Sequence, residues 1–189
     1  WNVQHEVMIQ SIDDEYDQPG TYDDMVFMRV TSKDVGYDKM PIHNVSVLIN
    51  DNDASGMQIR DEFYTYASGN DELSLDLEEG ASFKRYYVSL LCKPREIVYV
   101  NINGDEGYAD TNQLVFDPDT WDVEQSVKLT VTNDDIDNGI QVFVIDHSFT
   151  SNDEVYGNYT KIPTVKMTIT DDDYAGIVFA STVATVGVF

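Results

Sequence analysis

An internal repeat restricts the possible folds of this chain more than any other feature of its sequence. Residues 1–17 (WNVQHEVMIQSIDDEYD) align with residues 121–137 (WDVEQSVKLTVTNDDID) at an offset of 120. The same offset aligns residues 45–57 (VSVLINDNDASGM) with residues 165–177 (VKMTITDDDYAGI), including their aspartates. Because two distant segments share one offset, the sequence predicts a structural unit of about 120 residues that recurs along the chain.

Within the unit, apolar residues alternate with polar ones, which is the period of a β-strand. The stretches 127–132 (VKLTVT) and 165–170 (VKMTIT) alternate strictly. Clusters of Gly, Pro, Asn and Asp separate four further predicted strands, at residues 83–91, 96–102, 113–116 and 141–149. About seven short strands in about 120 residues predict an all-β fold, an antiparallel β-sandwich of immunoglobulin-like architecture.

The repeat divides the chain into one whole unit and two partial ones. Residues 57–176 are predicted to be a complete repeat, residues 1–56 the C-terminal half of a preceding repeat, and residues 177–189 the first strand of a following one. A half repeat has too few strands to close a sandwich, and its open sheet edge favours pairing with another strand. We therefore expect neighbouring repeats of the same chain, or identical subunits in a head-to-tail filament, as partners.

The charge of the chain excludes two classes of partner. Its 35 acidic and 11 basic residues give a formal net charge of −24, so nucleic-acid phosphates and anionic membranes would repel it. The sequence is nevertheless 42% hydrophobic, which is too apolar for a disordered acidic chain. No segment approaches the roughly 18 apolar residues of a membrane-spanning helix. We predict a folded domain that binds no nucleic acid, does not insert into membranes and has multivalent cations as its natural ligands.

The acidic residues cluster where predicted strands or turns place them in loops. The clusters are Glu78–Glu79, Asp134–Asp135 with Asp137, and Asp171–Asp173. In a sandwich the loops collect at the two ends, so carboxylates from separate loops can converge. Oxygen ligands in a flexible arrangement suit Ca²⁺, which accepts six to eight of them. We expect Ca²⁺ as the cofactor, and a solvated acidic rim is the alternative.

Three segments of the repeat together resemble the Calx-β repeat, a family named for its sodium–calcium exchanger members and common in extracellular adhesion proteins. The segments are residues 77–90 (LEEGASFKRYYVSL), 127–137 (VKLTVTNDDID) and 165–176 (VKMTITDDDYAG). The resemblance implies tandem immunoglobulin-like sandwiches that bind calcium at one tip. By position it implies seven metal ligands: Glu79, Asp105 (or Asp110 in its place), Asp134, Asp135, Asp171, Asp172 and Asp173.

The chain departs from the family pattern at the metal ligands. Asn133 stands where an acid is frequent, and in the partial copy Asn52 replaces the middle acid of the triplet. The partial copy also lacks the early loop that contains Glu79 in the whole copy. We therefore expect a weaker second metal site formed by Asp13, Asp14, Asp51 and Asp53.

These features favour a structural protein rather than an enzyme. The sequence contains no nucleophile elbow and no phosphate-binding glycine loop, although a glycosidase-like carboxylate pair stays open. The interpretation is a non-enzymatic structural repeat of a long extracellular adhesin or surface filament protein, made rigid by calcium at the domain tips. Asn44 and Asn158 begin N-glycosylation acceptor triplets, which favours an extracellular or cell-surface location.

The alternative function is a glycan- or protein-binding module of a secreted protein. Such a module would use exposed aromatic side chains, because an aromatic ring offers a large rigid surface for contact. The candidates are Tyr64, Tyr66, Tyr86, Tyr99 and Tyr108.

Overall fold

The computed structural model describes residues 3–18, 20–80, 83–104 and 108–177. The strands are β1 (Thr21–Val26), β2 (Val45–Asn50), β3 (Met57–Arg60), β4 (Tyr66–Ser68), β5 (Glu72–Glu78), β6 (Lys84–Leu90), β7 (Val98–Asn103), β8 (Gln113–Phe116), β9 (Gln125–Leu129), β10 (Gln141–Ser151) and β11 (Thr164–Thr170), with a 3-10 turn at Tyr156–Asn158. Asp105 and residues 178–189, nearly all of the strand predicted for a third repeat, lie outside the described residues. No helix in the described ranges is long and apolar enough to cross a membrane.

Residues 57–170 form two sheets that share one hydrophobic core. One sheet has four strands in the order β4-β3-β6-β9, and the other has five in the order β5-β11-β10-β7-β8. The all-β, immunoglobulin-like sandwich predicted from the sequence is confirmed. All pairs in it are antiparallel except β5 with β11, which run parallel. The parallel pair arises because the chain crosses between the sheets at residues 69–71, so β5 enters the second sheet beside the last strand.

The alternating apolar residues of the strands form the core. Val127 and Leu129 of β9, like Val165 and Met167 of β11, are fully buried, whereas the residues between them reach solvent. Because successive side chains of a strand point to opposite faces, one face packs between the sheets and the other meets water. Burial of one such Val or Leu side chain contributes about 1.5–3 kcal/mol.

The prediction located β6 to β11 to within a few residues but missed β1, β3, β4 and β5. Strand β5 does alternate, since Leu73, Leu75 and Leu77 are buried and the residues between them are exposed. Its exposed positions include aspartate and glutamate, which are depleted in strands, and this composition hid the pattern. The missed strand matters because it leads directly into the acidic residues described below.

The segment before residue 57 forms a separate hairpin of β1 with β2. Val7 and Ile9 align with the fully buried Val127 and Leu129, yet they are 78% and 49% exposed. Between residues 57 and 170, β9 pairs with β6 in a sheet whose inner face packs against the other sheet, and the described residues before 57 contain no strand equivalent to β6. The described residues before 57 therefore leave apolar side chains in solvent, whereas the residues aligned with them after 57 are buried.

Two of the aromatic residues considered for ligand binding pack inside the protein. Tyr86 is fully buried, and its hydroxyl lies 3.1 Å from Nε2 of His147. His147 Nδ1 lies 2.8 Å from the carbonyl oxygen of Pro163, which only accepts, so Nδ1 carries the proton and Nε2 accepts from Tyr86. Tyr108 is half-buried against Phe143, with ring centroids 4.8 Å apart. A surface role for Tyr86 is therefore wrong.

Candidate metal centre

Four carboxylates meet at one end of the sandwich: Glu79, Asp171, Asp172 and Asp173. One ligand oxygen from each lies within 4.8 Å of the others. The parallel pairing of β5 with β11 brings them together, because Glu78 lies opposite Thr170 and both strands end there. The N–H of Glu79 continues the ladder by donating to the carbonyl of Thr170 at 2.9 Å. Residues that are distant in the chain thus emerge from the sheet side by side.

Glu79 is a buried carboxylate in a fixed position. The residue is 7% exposed, and its Oε1 accepts the N–H of Asp134 at 2.6 Å. The following residue, Gly80, has a φ of 68°, in the left-handed region that favours glycine, and a Cβ there would clash with Oδ1 of Asn133. This close approach holds the loop after β9 against the end of β5, and the carboxylate lies between them.

Asp171 is surrounded by hydrogen-bond donors. Its Oδ1 accepts the N–H of Asp173 at 2.8 Å, and its Oδ2 accepts the N–H groups of Asn138 and Gly139, the latter at 2.8 Å. The hydrogen bond from the N–H of Asp173 is the main cause that lowers the pKa of Asp171 below its usual value. The N–H groups of Asn138 and Gly139 lower this pKa further, whereas burial acts in the opposite direction and raises it. Asp171 is therefore charged, and it ties the loop before β10 to the end of β11.

Asp173 has the opposite surroundings. Its Oδ2 is buried and has no hydrogen-bond partner among the described residues. Burial raises the pKa of Asp173, and the negative charges of Asp172, Asp171, Asp135 and Asp134 raise it further. A buried carboxylate oxygen without a donor, next to three more carboxylates, fits a bound cation, which would neutralise the repulsion and provide the missing partner.

Asp134 and Asp135 lie on the exposed loop between β9 and β10. The backbone of Asp134 binds Glu79, while its side-chain Oδ1 accepts the N–H of Ile136 at 2.7 Å. Asp135 is exposed and is close enough to affect the pKa of Asp173. The structure thus places both residues beside the four-carboxylate cluster but outside it. Asp105 is not among the described residues, and its alternative Asp110 accepts the N–H of Lys128 at 2.9 Å.

The second acidic cluster, at the end of the β1–β2 hairpin, is looser. Asp53 has its pKa raised by burial and then by the charges of Asp51, Asp13, Asp14 and Asp17. Asp51 accepts the N–H of Gln18 at 2.5 Å, and Asp14 accepts the N–H of Tyr16 at 2.9 Å. Within the described ranges, Asp13, Asp14, Asp51 and Asp53 do not form a cluster as tight as that around Glu79. Among the described residues, no strand beside β2 contributes a glutamate at the position of Glu79, and Asn52 aligns with Asp172.

The two tips nevertheless share one hydrogen-bond network. In each copy, three aspartate side chains accept four equivalent backbone N–H groups: Asp14 that of Tyr16 and Asp134 that of Ile136, Asp17 that of Ser55 and Asp137 that of Ala175, Asp51 that of Gln18 and Asp171 that of Asn138, and Asp51 that of Asp53 and Asp171 that of Asp173. Asp17 and Asp137 were not among the predicted site residues. Asp17 aligns with Asp137 in the sequence repeat, and this alignment could have identified both residues. A side chain that accepts the same backbone N–H in both copies must occur at the same position of the repeat.

The two predicted glycosylation asparagines are both exposed. Asn44 lies in the connection before β2, and Asn158 is the last residue of the 3-10 turn. The amide of Asn158 donates to the carbonyl of Glu154 at 2.8 Å. Both side chains are therefore on the surface, as an acceptor site requires.

The fold and the acidic tip together define the protein as an immunoglobulin-like β-sandwich domain with a carboxylate cluster at one end. No family model and no curated protein matches the chain. Among solved structures, it is similar to the apo form of the Calx CBD1 domain, with a TM-score of 0.41, 19% identity, and coverage of 62% of this chain and 99% of that chain. It is also similar to the D0-D1 domain of intimin, with a TM-score of 0.31, 13% identity, and coverage of 79% and 78%.

Proposed function

We propose that this protein is a non-enzymatic structural repeat of an extracellular or cell-surface protein, and that Ca²⁺ bound by Glu79 and Asp171–Asp173 makes its tip rigid. The observation that best supports the metal is the buried Oδ2 of Asp173, which lacks a hydrogen-bond partner among the described residues and belongs to a residue that clusters with three other carboxylates. The donor set consists of carboxylate oxygens, without histidine or cysteine, and this set favours Ca²⁺ over zinc.

Rigidity would follow from the position of the ligands in the chain. Asp171–Asp173 follow directly after β11 and precede Ile177, while Glu79 follows the end of β5. An ion shared by both would fix the exit segment to the sheet and remove the conformational freedom of a linker. An affinity of about 10⁻⁴ to 10⁻³ M, typical of extracellular modules, is sufficient for this purpose.

The proposed setting is a filament or adhesin in which such units follow one another. The internal repeat supports a tandem arrangement, and the exposed apolar residues of the partial unit support completion by a neighbouring copy. The exposed acceptor asparagines, Asn44 and Asn158, agree with a location outside the cell.

The proposal is tested by calorimetric titration of the full chain with Ca²⁺, together with thermal unfolding in Ca²⁺ and in a chelator. We expect binding in the range above and a higher Tm in Ca²⁺, because a ligand that binds only the folded state stabilises it. Glu79→Gln should weaken Ca²⁺ binding by at least about tenfold, because a buried charged ligand is lost.

Asp119→Asn is the matched control. It removes one exposed carboxylate from the turn between β8 and β9, at the other end of the sandwich, and changes the net charge by the same amount. It should leave the titration unchanged. Equal titrations for the Glu79→Gln variant and the unmodified chain would refute the site, and an equal Tm in Ca²⁺ and chelator would refute the stiffening.

A second candidate function is supported by the aromatic residues of the β3–β4 connection and the start of β4. Phe63, Tyr64 and Tyr66 are 79%, 66% and 53% exposed. Tyr64 stacks at 4.5 Å on the guanidinium of Arg60, which also binds Glu124, so this ring has a fixed orientation. Rigid exposed rings suit sugar faces. Binding on a glycan array that is lost in Tyr64→Ala would favour a glycan-binding module.

A further inference from the structure

The two copies of the tip differ in their surroundings, although their backbones are held in the same way. We call residues 15–17 the first tip loop, residues 135–137 the second tip loop, and residues 91–95, between β6 and β7, the receiving turn. The first tip loop lies on the receiving turn: Lys93 N–H donates to the carbonyl of Glu15 at 2.8 Å, and Asp17 N–H donates to Sγ of Cys92 at 2.8 Å. The Cys92 thiol donates in turn to the Glu15 carbonyl at 3.1 Å.

Further contacts surround this junction. The N–H of Leu91 donates to the carbonyl of Gly56 at 2.9 Å, which ties the end of the first copy to the receiving turn. The cations of Lys93 and Arg95 lie over the ring of Tyr16, 5.6 and 5.2 Å from its centroid. The junction is thus formed mostly by backbone groups of the tip, and two side chains add to it: Tyr16, and Glu15 through an ion pair with Lys93 at 3.7 Å.

The second tip loop presents the same backbone groups to solvent. Asp137 accepts the N–H of Ala175 in the same way that Asp17 accepts the N–H of Ser55. The tip loop and the segment after the preceding strand therefore have the same relative orientation in both copies. Within the described residues, the carbonyl of Asp135 and the N–H of Asp137 have no hydrogen-bond partner. Ile136 is 62% exposed and Ile177 is 84% exposed.

One substitution changes the chemistry of the contact. Ile136 stands where the first copy has Tyr16, so the second tip loop offers an aliphatic side chain instead of a ring for cations. The backbone groups that bind the receiving turn remain. A partner turn should therefore supply a backbone N–H and a small side chain at the position of Cys92, as the receiving turn does.

We propose that the second tip loop is a docking surface for the receiving turn of another copy of the 57–176 unit, in the arrangement that the first tip loop already has in this chain. The proposal adds a partner to the tip described under the proposed function, and it requires the repeat architecture but not Ca²⁺ binding. Titration with Ca²⁺ and the docking experiment below can therefore fail independently.

Cys92 allows docking to be measured. It is the only cysteine of the chain and is 1% exposed, and burial raises the pKa of its thiol, so a maleimide reacts with it only when the junction opens. In the chain as it exists, Asp17→Ala should accelerate labelling about tenfold, because it frees the first tip loop. Asp137→Ala makes the same change at the second tip and should not alter the rate.

The test of the proposal uses a chain in which a second copy of residues 57–176 replaces residues 177–189, and Cys92→Ser leaves only the added thiol. We expect the added thiol to be protected from maleimide labelling. Asp137→Ala should increase the labelling rate of this thiol about tenfold, whereas Asp17→Ala should leave that rate unchanged. Measurements in Ca²⁺ and in chelator separate docking from metal binding. Equal labelling rates with and without the Asp137→Ala substitution, in an added copy that melts cooperatively, would overturn the proposal.

Sedimentation of the original chain gives a second measurement that does not depend on the folding of an added copy. Asp17→Ala exposes the receiving turn, so chains should associate through their second tip loops at high concentration. The double variant Asp17→Ala with Asp137→Ala should remain more dissociated. Identical sedimentation of the two variants would contradict the proposed docking surface.

Discussion

At the scale of single residues, Asp171 and Asp173 show how one tip gives two carboxylates different roles. Asp171 accepts N–H groups from Asn138, Gly139 and Asp173, and they lower its pKa. Asp173 is half-buried, and loss of solvent followed by repulsion from its acidic neighbours raises its pKa, while its buried Oδ2 has no donor within the described ranges. Asp171 maintains the loop structure without a metal, whereas a bound cation would stabilise Asp173 most.

Asp173→Asn should therefore change stability in opposite directions with and without Ca²⁺. A folded-state pKa above the unfolded value means that the charged form destabilises the folded protein at neutral pH, and protonation relieves this as the pH falls towards that pKa. The neutral amide should raise Tm in chelator and abolish most of the rise that Ca²⁺ produces. Differential scanning calorimetry at pH 7 in both conditions measures this.

Asp171→Asn is the informative comparison for that experiment. The lowered pKa of Asp171 means that its charge stabilises the folded state above the unfolded pKa, and this contribution is lost as the pH falls through the folded pKa. An amide oxygen accepts the three N–H groups more weakly than a carboxylate does, so Tm in chelator should fall. A fall in Tm for both variants would contradict the different roles assigned to the two residues.

Residue types and spacing predicted most of the candidate ligands but not their arrangement. Glu79 and Asp171–Asp173 were named from the sequence, and the structure brings them together. Asp134 was named as a ligand, yet it also holds Glu79 through its backbone, a contact that no side-chain pattern encodes. Hydrogen bonds from the backbone depend on loop conformation, which a sequence pattern describes only through glycines such as Gly80.

At the scale of elements, β5 decides whether the tip can form. It lies at the edge of the five-stranded sheet and pairs with β11 from Glu72 to Glu78. Leu73, Leu75 and Leu77 hold it against the core, and Glu79 follows directly. A loosened β5 would therefore separate Glu79 from the aspartates even though every ligand is still present.

Leu77→Ala and Leu114→Ala should separate this effect from general destabilisation. Both leucines are buried in the five-stranded sheet, at 4% and 6% exposure, but Leu77 is on β5 and Leu114 is on β8 at the opposite edge. Each substitution should cost about 2–5 kcal/mol of unfolding free energy. Only Leu77→Ala should also weaken Ca²⁺ binding, as measured by calorimetric titration. Equal weakening by both would mean that overall stability, not β5, controls the site.

Two alternating strands were predicted from the sequence, whereas the pairing between strands was not. The stretches 127–132 and 165–170 alternate strictly, and they correspond to β9 and β11. Alternation reports which face of a strand is buried, but it does not report which strand lies next to it. The parallel pairing of β5 with β11 therefore could not be derived from the pattern of either strand.

At the scale of the whole molecule, the net charge of −24 affects every equilibrium at the tip. Calcium-free protein should gain stability as NaCl rises from about 0.01 M to about 0.5 M, because the screening length falls from about 30 Å to less than about 8 Å. Over the same range Ca²⁺ affinity should fall, because the attraction of the acidic surface for the ion is screened. Thermal unfolding in chelator and calorimetric titration at several salt concentrations measure the two effects.

A matched measurement in Mg²⁺ distinguishes a specific site from this general attraction. Ions attracted only by net charge should give the same stabilisation for Mg²⁺ and Ca²⁺ at equal concentration. A site formed by the four clustered carboxylates should prefer Ca²⁺, because Mg²⁺ requires near-octahedral geometry and loses its water reluctantly. Equal effects of the two ions would contradict a specific Ca²⁺ site.

The sequence by itself determined that this protein is a β-sandwich with a repeated unit of acidic loops. It could do so because the burial of alternate residues and the recurrence of a motif are properties of short segments. Only the tertiary structure decided which acidic residues meet and which surface covers each tip. Those outcomes depend on β5 lying parallel to β11 and on the first tip loop contacting the receiving turn, and both are contacts between segments far apart in the chain.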